Sequence, residues 1–219
     1  MIAFPFKRIF GLVGAMRVGK DSVANFLTET RGFQQIAFAD QIKEEFGISA
    51  ADFEAAKIAG NIEELREKLW KFSAQKKKED PEYFIKKVIE KSLNSEGSVV
   101  ITDIRTPEEM SAFLNIKSNN VNRIYWVRGS FEHEFDKNGC LAGSKLPEKM
   151  FANYMGPTSE YDLRCILNKK EGLYGFYRQL DHFFFMEDMR DIWEVECLNK
   201  EHIALYADQF EVRQKGSTK

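Results

Sequence analysis

The chain has 219 residues, of which 43% are hydrophobic and 13% aromatic, and its formal net charge is -2 at pH 7. This length and composition fit one α/β domain with insertions and predict a substantial apolar core. The near-neutral charge argues against a nucleic-acid-binding protein, because such proteins carry a concentrated basic surplus. The three cysteines are widely spaced without a C-x-x-C pair, which favours reduced thiols in the cytoplasm.

The N-terminal segment imitates a signal peptide, because Lys7 and Arg8 precede a short apolar run. The run has no convincing cleavage site and continues into Arg17 and Lys20, so a buried first strand is the better interpretation. No other segment approaches the length that spans a bilayer. We therefore expect a soluble, cytoplasmic protein that binds neither membrane nor nucleic acid.

The first third of the chain predicts a strand, a glycine loop, a helix and a second strand. Residues 8–14 form a continuous apolar run that ends in glycine, as in a strand buried on both faces. From Gly19 onward, the spacing of Val23, Phe26 and Leu27 gives a helix one apolar face. The sequence QQIAFA, residues 34–39, predicts a short second strand.

A charged helical block follows at residues 41–96, with a helix expected to start at Asp80 as N-cap and Pro81 as first helical residue. Further strands are predicted at residues 98–103, 123–127 and 163–168. Thr106 to Glu109 combine a capping box with a proline at the first helical position. Strands alternating with helices predict an α/β fold with a roughly five-stranded, mainly parallel sheet and helices on both faces.

The glycine loop matches the phosphate-binding pattern G-x-x-x-x-G-K, because Gly14, Gly19 and Lys20 occupy its fixed positions. It follows a predicted buried strand and opens an amphipathic helix, the setting in which backbone N–H groups cradle an anion. Lys20 would reach the β- and γ-phosphates. The alternative, a structural turn with a solvent-facing lysine, explains less. The predicted nucleotide-binding residues are Gly14, Ala15, Met16, Arg17, Val18, Gly19, Lys20, Asp21 and Ser22.

Asp21 stands where the pattern has Ser or Thr, whose hydroxyl normally binds Mg²⁺. Asp21 could hold the metal through a water molecule, or Ser22 could bind it from the next position. Since one helical step turns a side chain by about 100°, the first interpretation is slightly favoured. In a third interpretation, Asp21 only complements the helix dipole.

Polar residues at the ends of later strands are candidates for catalysis. Asp103 is placed like an acid that holds Mg²⁺ or positions a nucleophile, and Arg105 follows it at the edge where ligands bind in open α/β sheets. A plain Asp–Arg ion pair is the structural alternative. Arg128 closes the fourth strand, where an arginine could meet the transferred phosphoryl group. Glu109 is read as a capping residue.

These motifs together resemble the phage-type deoxynucleoside monophosphate kinase family. The resemblance rests on GAMRVGKDSVA at residues 14–24, FADQIK at 38–43 and VVITDIRTPEE at 99–109, with weaker matches in REKLWKF and EDPEYF. A fainter match, TSEYDLRCILN, ends the third quarter of the chain. In this family the loop reads G-K-D-[ST], so Asp21 followed by Ser22 is a family variant.

The resemblance implies one P-loop kinase domain with a core at about 8–40 and 97–185. It also implies a helical acceptor-binding region at about 41–96 and a lid at about 129–161, followed by a C-terminal extension at about 186–219. Asp40, Lys43, Arg66 and Arg105 map to the acceptor side, and Arg128 to the base of the lid. The lid departs from the family in being poor in arginine.

The sequence therefore predicts a transferase that moves the γ-phosphoryl group of ATP, with Mg²⁺, to a deoxynucleoside 5′-monophosphate in deoxynucleotide metabolism. Lys20, Asp103, Arg105 and Arg128 are its predicted catalytic residues. The partners are small-molecule nucleotides, and a homodimer is left open. The alternatives are another P-loop small-molecule kinase, such as a dephospho-coenzyme A kinase, and a non-catalytic nucleotide-binding protein.

Overall fold

The structure is a computed structural model that describes residues 7–116, 121–129, 135–147, 163–168 and 172–198. The chain forms two compact units, Met1–Leu173 and Tyr174–Lys219. Most of the predicted lid, the Ser159–Glu160 pair and the C-terminal tail lie outside the described residues. No helix in the described part of the chain has the length and apolar character needed to cross a membrane.

The first unit contains a five-stranded sheet in which every neighbouring pair of strands is parallel. The strand order is β2-β3-β1-β4-β5. The strands are β1 (Arg8–Val13), β2 (Gln34–Ile36), β3 (Val99–Ile101), β4 (Val121–Gly129) and β5 (Leu163–Asn168). The predicted α/β class and parallel sheet are confirmed.

Among the described residues of the first unit, six helices lie between these strands, and a seventh begins at the end of the unit. They are α1 (Lys20–Arg31), α2 (Phe38–Phe46), α3 (Ala50–Ile58), α4 (Ile62–Glu79), α5 (Tyr83–Asn94), α6 (Pro107–Leu114) and α7 (Gly172–Leu198). The capping box predicted at Thr106 is present, with Thr106 accepting from the N–H of Glu109 and Glu109 accepting in return.

Both faces of the sheet are covered, because β1 is buried along its whole length. On one face Ile9 and Val13 join a core cluster with residues of α5 and α6, including Val88 and Phe113. On the other face the ring of Phe10 packs against Phe33, which follows α1, and against Tyr125. Successive side chains of β1 point to opposite faces of the sheet, so this buried strand contributes to both apolar layers.

Three sequence-based boundaries are corrected. The helix α2 begins at Phe38, so β2 is shorter than the predicted strand. Asp80 caps the C-terminus of α4, its carboxylate accepts the N–H of Glu82, and α5 begins only at Tyr83. The C-terminal third, in which no helix was predicted, contains the 27-residue helix α7, in which Phe176, Leu180 and Phe184 are buried at four-residue spacing.

Candidate functional site

The glycine loop lies at the carboxyl end of β1, between β1 and α1. This is the switch point of the sheet, because β3 lies on one side of β1 and β4 on the other. Three residues of the loop have a positive φ, namely Gly14 (154°), Arg17 (65°) and Gly19 (105°). Such a turn followed by a helix N-terminus presents successive N–H groups to an anion. The loop has the geometry that its sequence predicted.

Gly14 is required where the loop leaves β1. Its φ is +154°, and a Cβ atom at this position would lie 2.3 Å from the carbonyl oxygen of Val127 on β4. The loop is held from a second strand as well, since the side-chain amide of Asn168 donates to the carbonyl oxygen of Val18 (3.0 Å). Asn168 is the last residue of β5. Three neighbouring strands therefore fix the loop.

Lys20 folds back over the loop, and its ammonium group donates to the carbonyl oxygens of Gly14 (2.9 Å) and Ala15 (2.7 Å). Burial lowers the pKa of Lys20, and the positive charge of Arg105 lowers it further, whereas Asp21 and Asp103 raise it. The structure thus brings Lys20, Asp21, Asp103 and Arg105 into one electrostatic cluster. A phosphate placed there would supply an anionic partner for the half-buried ammonium group.

Asp103 binds the N-terminus of the neighbouring helix. Its two carboxylate oxygens accept the backbone N–H groups of Phe38 (2.7 Å) and Ala39 (3.0 Å), which open α2. The N-cap residue of that helix, Ala37, has no side chain that could do this. Burial raises the pKa of Asp103, while these two N–H groups and Arg105 lower it and Asp40 raises it. Asp103 therefore links β3 to the helix that carries Asp40 and Lys43, and its catalytic role stays a prediction.

The backbone of Arg105 is fixed from both sides. Its N–H donates to the carboxylate of Glu109 (2.8 Å), and its carbonyl oxygen accepts the N–H of Lys145 (2.8 Å). The side chain is exposed, and within the described residues its guanidinium group makes no hydrogen bond or ion pair. The carboxylate of Glu109 is buried, and burial raises its pKa, against the hydrogen bond from Arg105 and the charge of Lys77. A fixed backbone with an unengaged guanidinium group suits an anion-binding arginine.

The remaining predicted acceptor residues lie on the helices beside this cluster. Lys43 pairs with Asp40 (2.6 Å) and lies over the ring of Phe53, whereas Arg66 pairs with Glu63 on the exposed surface of α4. Within the described residues, no contact joins Arg66 to the cluster. The guanidinium group of Arg128 lies 4.5 Å from the centre of the Trp126 ring. The structure therefore groups Lys20, Asp21, Asp103 and Arg105, and it does not join Arg66 to them within the described residues.

One face of α4, which the sequence motifs did not identify, leads toward Arg105. Arg66, Trp70 and Lys77 lie within about 40° of each other around the helix, and span about 16 Å along it. The Lys77 ammonium group lies 4.0 Å from Glu109, whose other oxygen holds the N–H of Arg105. The indole of Trp70 is 68% exposed. In the sequence, the available signal was Trp70, four residues after Arg66. Its relation to Arg105 becomes visible only when these residues are placed around the helix.

Mg²⁺ fits the donor set at the start of α1. Asp21 is exposed and Ser22 half-buried in the first turn, directly after Lys20, and carboxylate and hydroxyl oxygens are ligands that Mg²⁺ accepts. The described residues contain no group of three or more His, Cys, Asp or Glu side chains that could bind a metal on their own. One or two protein oxygens completed by substrate phosphates are the usual arrangement in kinases.

Comparison with known proteins supports the same general class. Residues 12–119, slightly less than half of the chain, match the family model of phosphomevalonate kinase. No curated protein matches the chain. The loop geometry and the family match support a P-loop kinase of small molecules, a phosphotransferase that binds a nucleotide. They do not identify the acceptor, so the phage-type family remains a prediction.

Two solved structures show weaker similarity. A sugar kinase from Janibacter sp. HTCC2649, in an unliganded structure, has a TM-score of 0.39 and 10% identity, over 80% of this chain and 92% of that chain. A gluconokinase from Sinorhizobium meliloti 1021 has a TM-score of 0.37 and 16% identity, over 83% of this chain and 98% of that chain. At these scores neither structure adds an argument about this chain.

Proposed function

We propose that this protein transfers the γ-phosphoryl group of ATP to a deoxynucleoside 5′-monophosphate. The observation that carries the proposal is the cluster at the switch point, in which Lys20 lies on the glycine loop and the unengaged guanidinium group of Arg105 lies beside it. Phosphoryl transfer needs mainly positioning and charge neutralisation. Lys20 would provide a positive charge for the donor phosphates, and Arg105 would provide one for the acceptor phosphate.

Each residue has a separate role in this reaction. Lys20 exchanges its two carbonyl partners for the β- and γ-phosphates and holds the donor. Arg105 and Arg66 bind the acceptor phosphate, and Arg128 stabilises charge on the transferred group. Asp21 would hold Mg²⁺ through a water molecule, and the metal would supply neutralising charge for the phosphate oxygens. Ser22 caps the loop or touches a phosphate, and Asp103 holds α2 in place.

The face of α4 favours a planar acceptor. Trp70 is exposed and lies between Arg66 and Lys77 along the helix, which leads to the Arg105 loop. An exposed indole can stack on a nucleobase, a contact worth about 1–3 kcal/mol in nucleic-acid complexes. The inner face of the same helix is occupied, because Leu69 is buried and Phe72 packs edge-on against Phe46. Trp70 therefore contributes little to folding and is available for a ligand.

A second candidate acceptor follows from the family match. Phosphomevalonate kinases act on a phosphorylated acceptor without a nucleobase, and residues 12–119 match their family model. The glycine loop and Arg105 would serve such an acceptor equally well. The two candidates differ at Trp70, because only a nucleobase offers it a planar partner.

The test is an ADP-release assay with ATP and Mg²⁺ over deoxy- and ribonucleoside monophosphates, phosphomevalonate and dephospho-coenzyme A. We expect turnover of at least one deoxynucleoside monophosphate, which Trp70→Ala weakens about 10-fold or more in kcat/KM and Trp70→Phe weakens less. Turnover of phosphomevalonate alone, unaffected by Trp70→Ala, would replace the first acceptor by the second. Nucleotide binding without turnover of any acceptor would indicate a non-catalytic protein.

A further inference from the structure

A short segment after β4 contacts both halves of the candidate site. Residues 140–147, here called the brace, lie within the range predicted as a lid. The carbonyl oxygen of Ala142 accepts the backbone N–H of Met16 in the glycine loop (2.8 Å). Three residues later, the N–H of Lys145 donates to the carbonyl oxygen of Arg105 (2.8 Å). The donor loop and the acceptor arginine are thus joined through one segment.

The brace has internal hydrogen bonds that make it stiff. The N–H of Leu141 donates to the carbonyl oxygen of Leu146 (2.9 Å), and the N–H of Ser144 donates to the carbonyl oxygen of Leu141 (2.8 Å). The hydroxyl of Ser144 accepts the N–H of Leu146 (3.1 Å). An antiparallel β-bridge between the backbones of Cys140 and Pro147 closes the turn at its base. The hydrogen bonds from Met16 to Ala142 and from Lys145 to Arg105 are therefore both made by one internally hydrogen-bonded turn.

The brace is also anchored in the core. Leu141 and Leu146 are fully buried and belong to the same cluster as Trp126 on β4. Phe135, which bridges to Leu141, packs against the Trp126 ring with centroids 6.2 Å apart. A mobile cover over a ligand would have few buried contacts. This segment has the contacts of a fixed structural part.

We propose that the brace is a positioning element that sets the separation between the glycine loop and Arg105 for phosphoryl transfer. This inference rests on the proposed function and adds Ala142, Gly143 and Lys145 as positioning residues. Glu109 binds the N–H of Arg105, and Lys145 binds its carbonyl oxygen. A displacement of the brace would therefore move the backbone from which the guanidinium group of Arg105 extends. Reacting groups misplaced by 1 Å can lose about 10²-fold in rate.

Two glycines allow a matched test. Gly143 has a φ of +81°, and a Cβ atom there would lie 3.3 Å from the Cβ atom of Met16. Gly139, in the turn before the brace, has a φ of +69° and would meet nothing within 4 Å. Alanine at either position imposes similar backbone strain, but only Gly143→Ala pushes on the glycine loop. Comparing the two variants separates displacement of the loop from loss of stability.

The first measurement is kinetic. Gly143→Ala is expected to lower kcat about 3–10-fold relative to Gly139→Ala, since a contact of this length requires a shift of only a fraction of an ångström. Lys145→Pro, which removes the N–H donor to Arg105, should raise the acceptor KM more than Lys145→Ala, which keeps it. Equal kinetics for the two members of each pair would overturn the proposal.

The second measurement does not depend on turnover. In the wild-type protein, ADP with Mg²⁺ should slow hydrogen–deuterium exchange in the glycine loop and also in peptides that contain Arg105 and Lys145. Gly143→Ala should abolish the distant protection, and Gly139→Ala should keep it. Protection confined to the glycine loop of the wild type would overturn the positioning role, even if acceptors are phosphorylated. Distant protection in a protein that phosphorylates no acceptor would instead remove the proposed function and leave the coupling intact.

Discussion

The two sides of the candidate site are built in different ways. The glycine loop is enclosed by β1, β4 and β5 and by the brace, with backbone atoms in close contact. On the acceptor side, α3 has no buried residue and α4 buries only Leu69. Several charged residues of α4 pair within the helix, as in Lys68–Glu64 and Lys71–Glu67, and such exposed pairs stabilise it little.

This difference teaches where specificity and chemistry reside. The glycine loop on the donor side has a shape that is set by the fold without a ligand. The acceptor side consists of surface helices whose geometry a ligand can complete. Substitutions in the enclosed glycine loop should therefore alter folding as well as catalysis, and removal of exposed acceptor-side side chains should alter substrate use with little loss of stability. Four predictions test this distinction.

The largest effect is expected from Gly14→Ala. The new Cβ atom would clash with the Val127 carbonyl oxygen at a φ that side chains avoid, so the free energy of unfolding should fall by about 2–6 kcal/mol. The matched control on the acceptor side is Gly60→Ala, at a φ of +79° with open space around it, which should cost about 1–2 kcal/mol. Urea unfolding of both variants measures the difference. Equal losses would mean that the loop is no more tightly enclosed than the helices.

Lys20→Ala should reduce kcat by about 10²–10³-fold, the scale for losing one preorganised electrostatic donor. ATP binding should weaken less than kcat falls, because the backbone N–H groups of the loop remain. Steady-state kinetics together with a nucleotide titration measure the two effects. A Lys20→Ala enzyme with wild-type kcat would show that the reaction occurs elsewhere.

Arg105→Ala and Arg66→Ala should each weaken use of the acceptor by about 1.5–3 kcal/mol, since charge-assisted hydrogen bonds to a phosphate are lost. ATP binding and the melting temperature should stay nearly unchanged, because neither guanidinium group is buried. Glu63→Ala, which removes only the surface partner of Arg66, is the control. A collapse of the melting temperature in Arg105→Ala would instead assign Arg105 a structural role.

The smallest effect concerns Glu109 and depends on pH. Burial raises the pKa of Glu109 in the folded protein, so between its unfolded and folded pKa values stability decreases as pH rises. Glu109→Gln keeps an oxygen for the N–H groups of Arg105 and Thr106, and its stability relative to wild type should increase with pH across that window. Glu109→Ala should lose about 0.5–2 kcal/mol below that window because the cap is gone, and its loss relative to wild type should shrink as pH rises across the window. A Gln variant whose relative stability is independent of pH would contradict the raised pKa.

Local patterns predicted the elements around the glycine loop. The apolar run before Gly14, the glycine spacing and the capping box at Thr106 are determined by residues close in sequence, and the structure has all three. The predicted β5 has the observed bounds because a short apolar run there ends at Asn168. Interactions of this kind need no knowledge of the rest of the fold.

Contacts between distant segments could not be read in the same way. Asp103 looked like a metal or catalytic acid, but its engagement with the N–H groups of α2 depends on how β3 and β2 lie side by side. The relation of Trp70 to Arg105 depends on the rotation of α4. The contacts of Ala142 and Lys145 use backbone atoms, which leave no side-chain pattern. The buried leucines 141 and 146 were the only local sign of an anchored segment.

The hydrogen bond from Asn168 to Val18 also has a kinetic consequence. The two residues are 150 positions apart, so the contact closes one of the longest loops in the described part of the chain. Non-local contacts of this kind form slowly, because loop closure costs conformational entropy before the contact is made. During synthesis the glycine loop leaves the ribosome early, yet the strand end that holds it emerges last of the sheet. The nucleotide cradle should therefore acquire its final shape late in folding, and ligand affinity should appear only after β5 has docked.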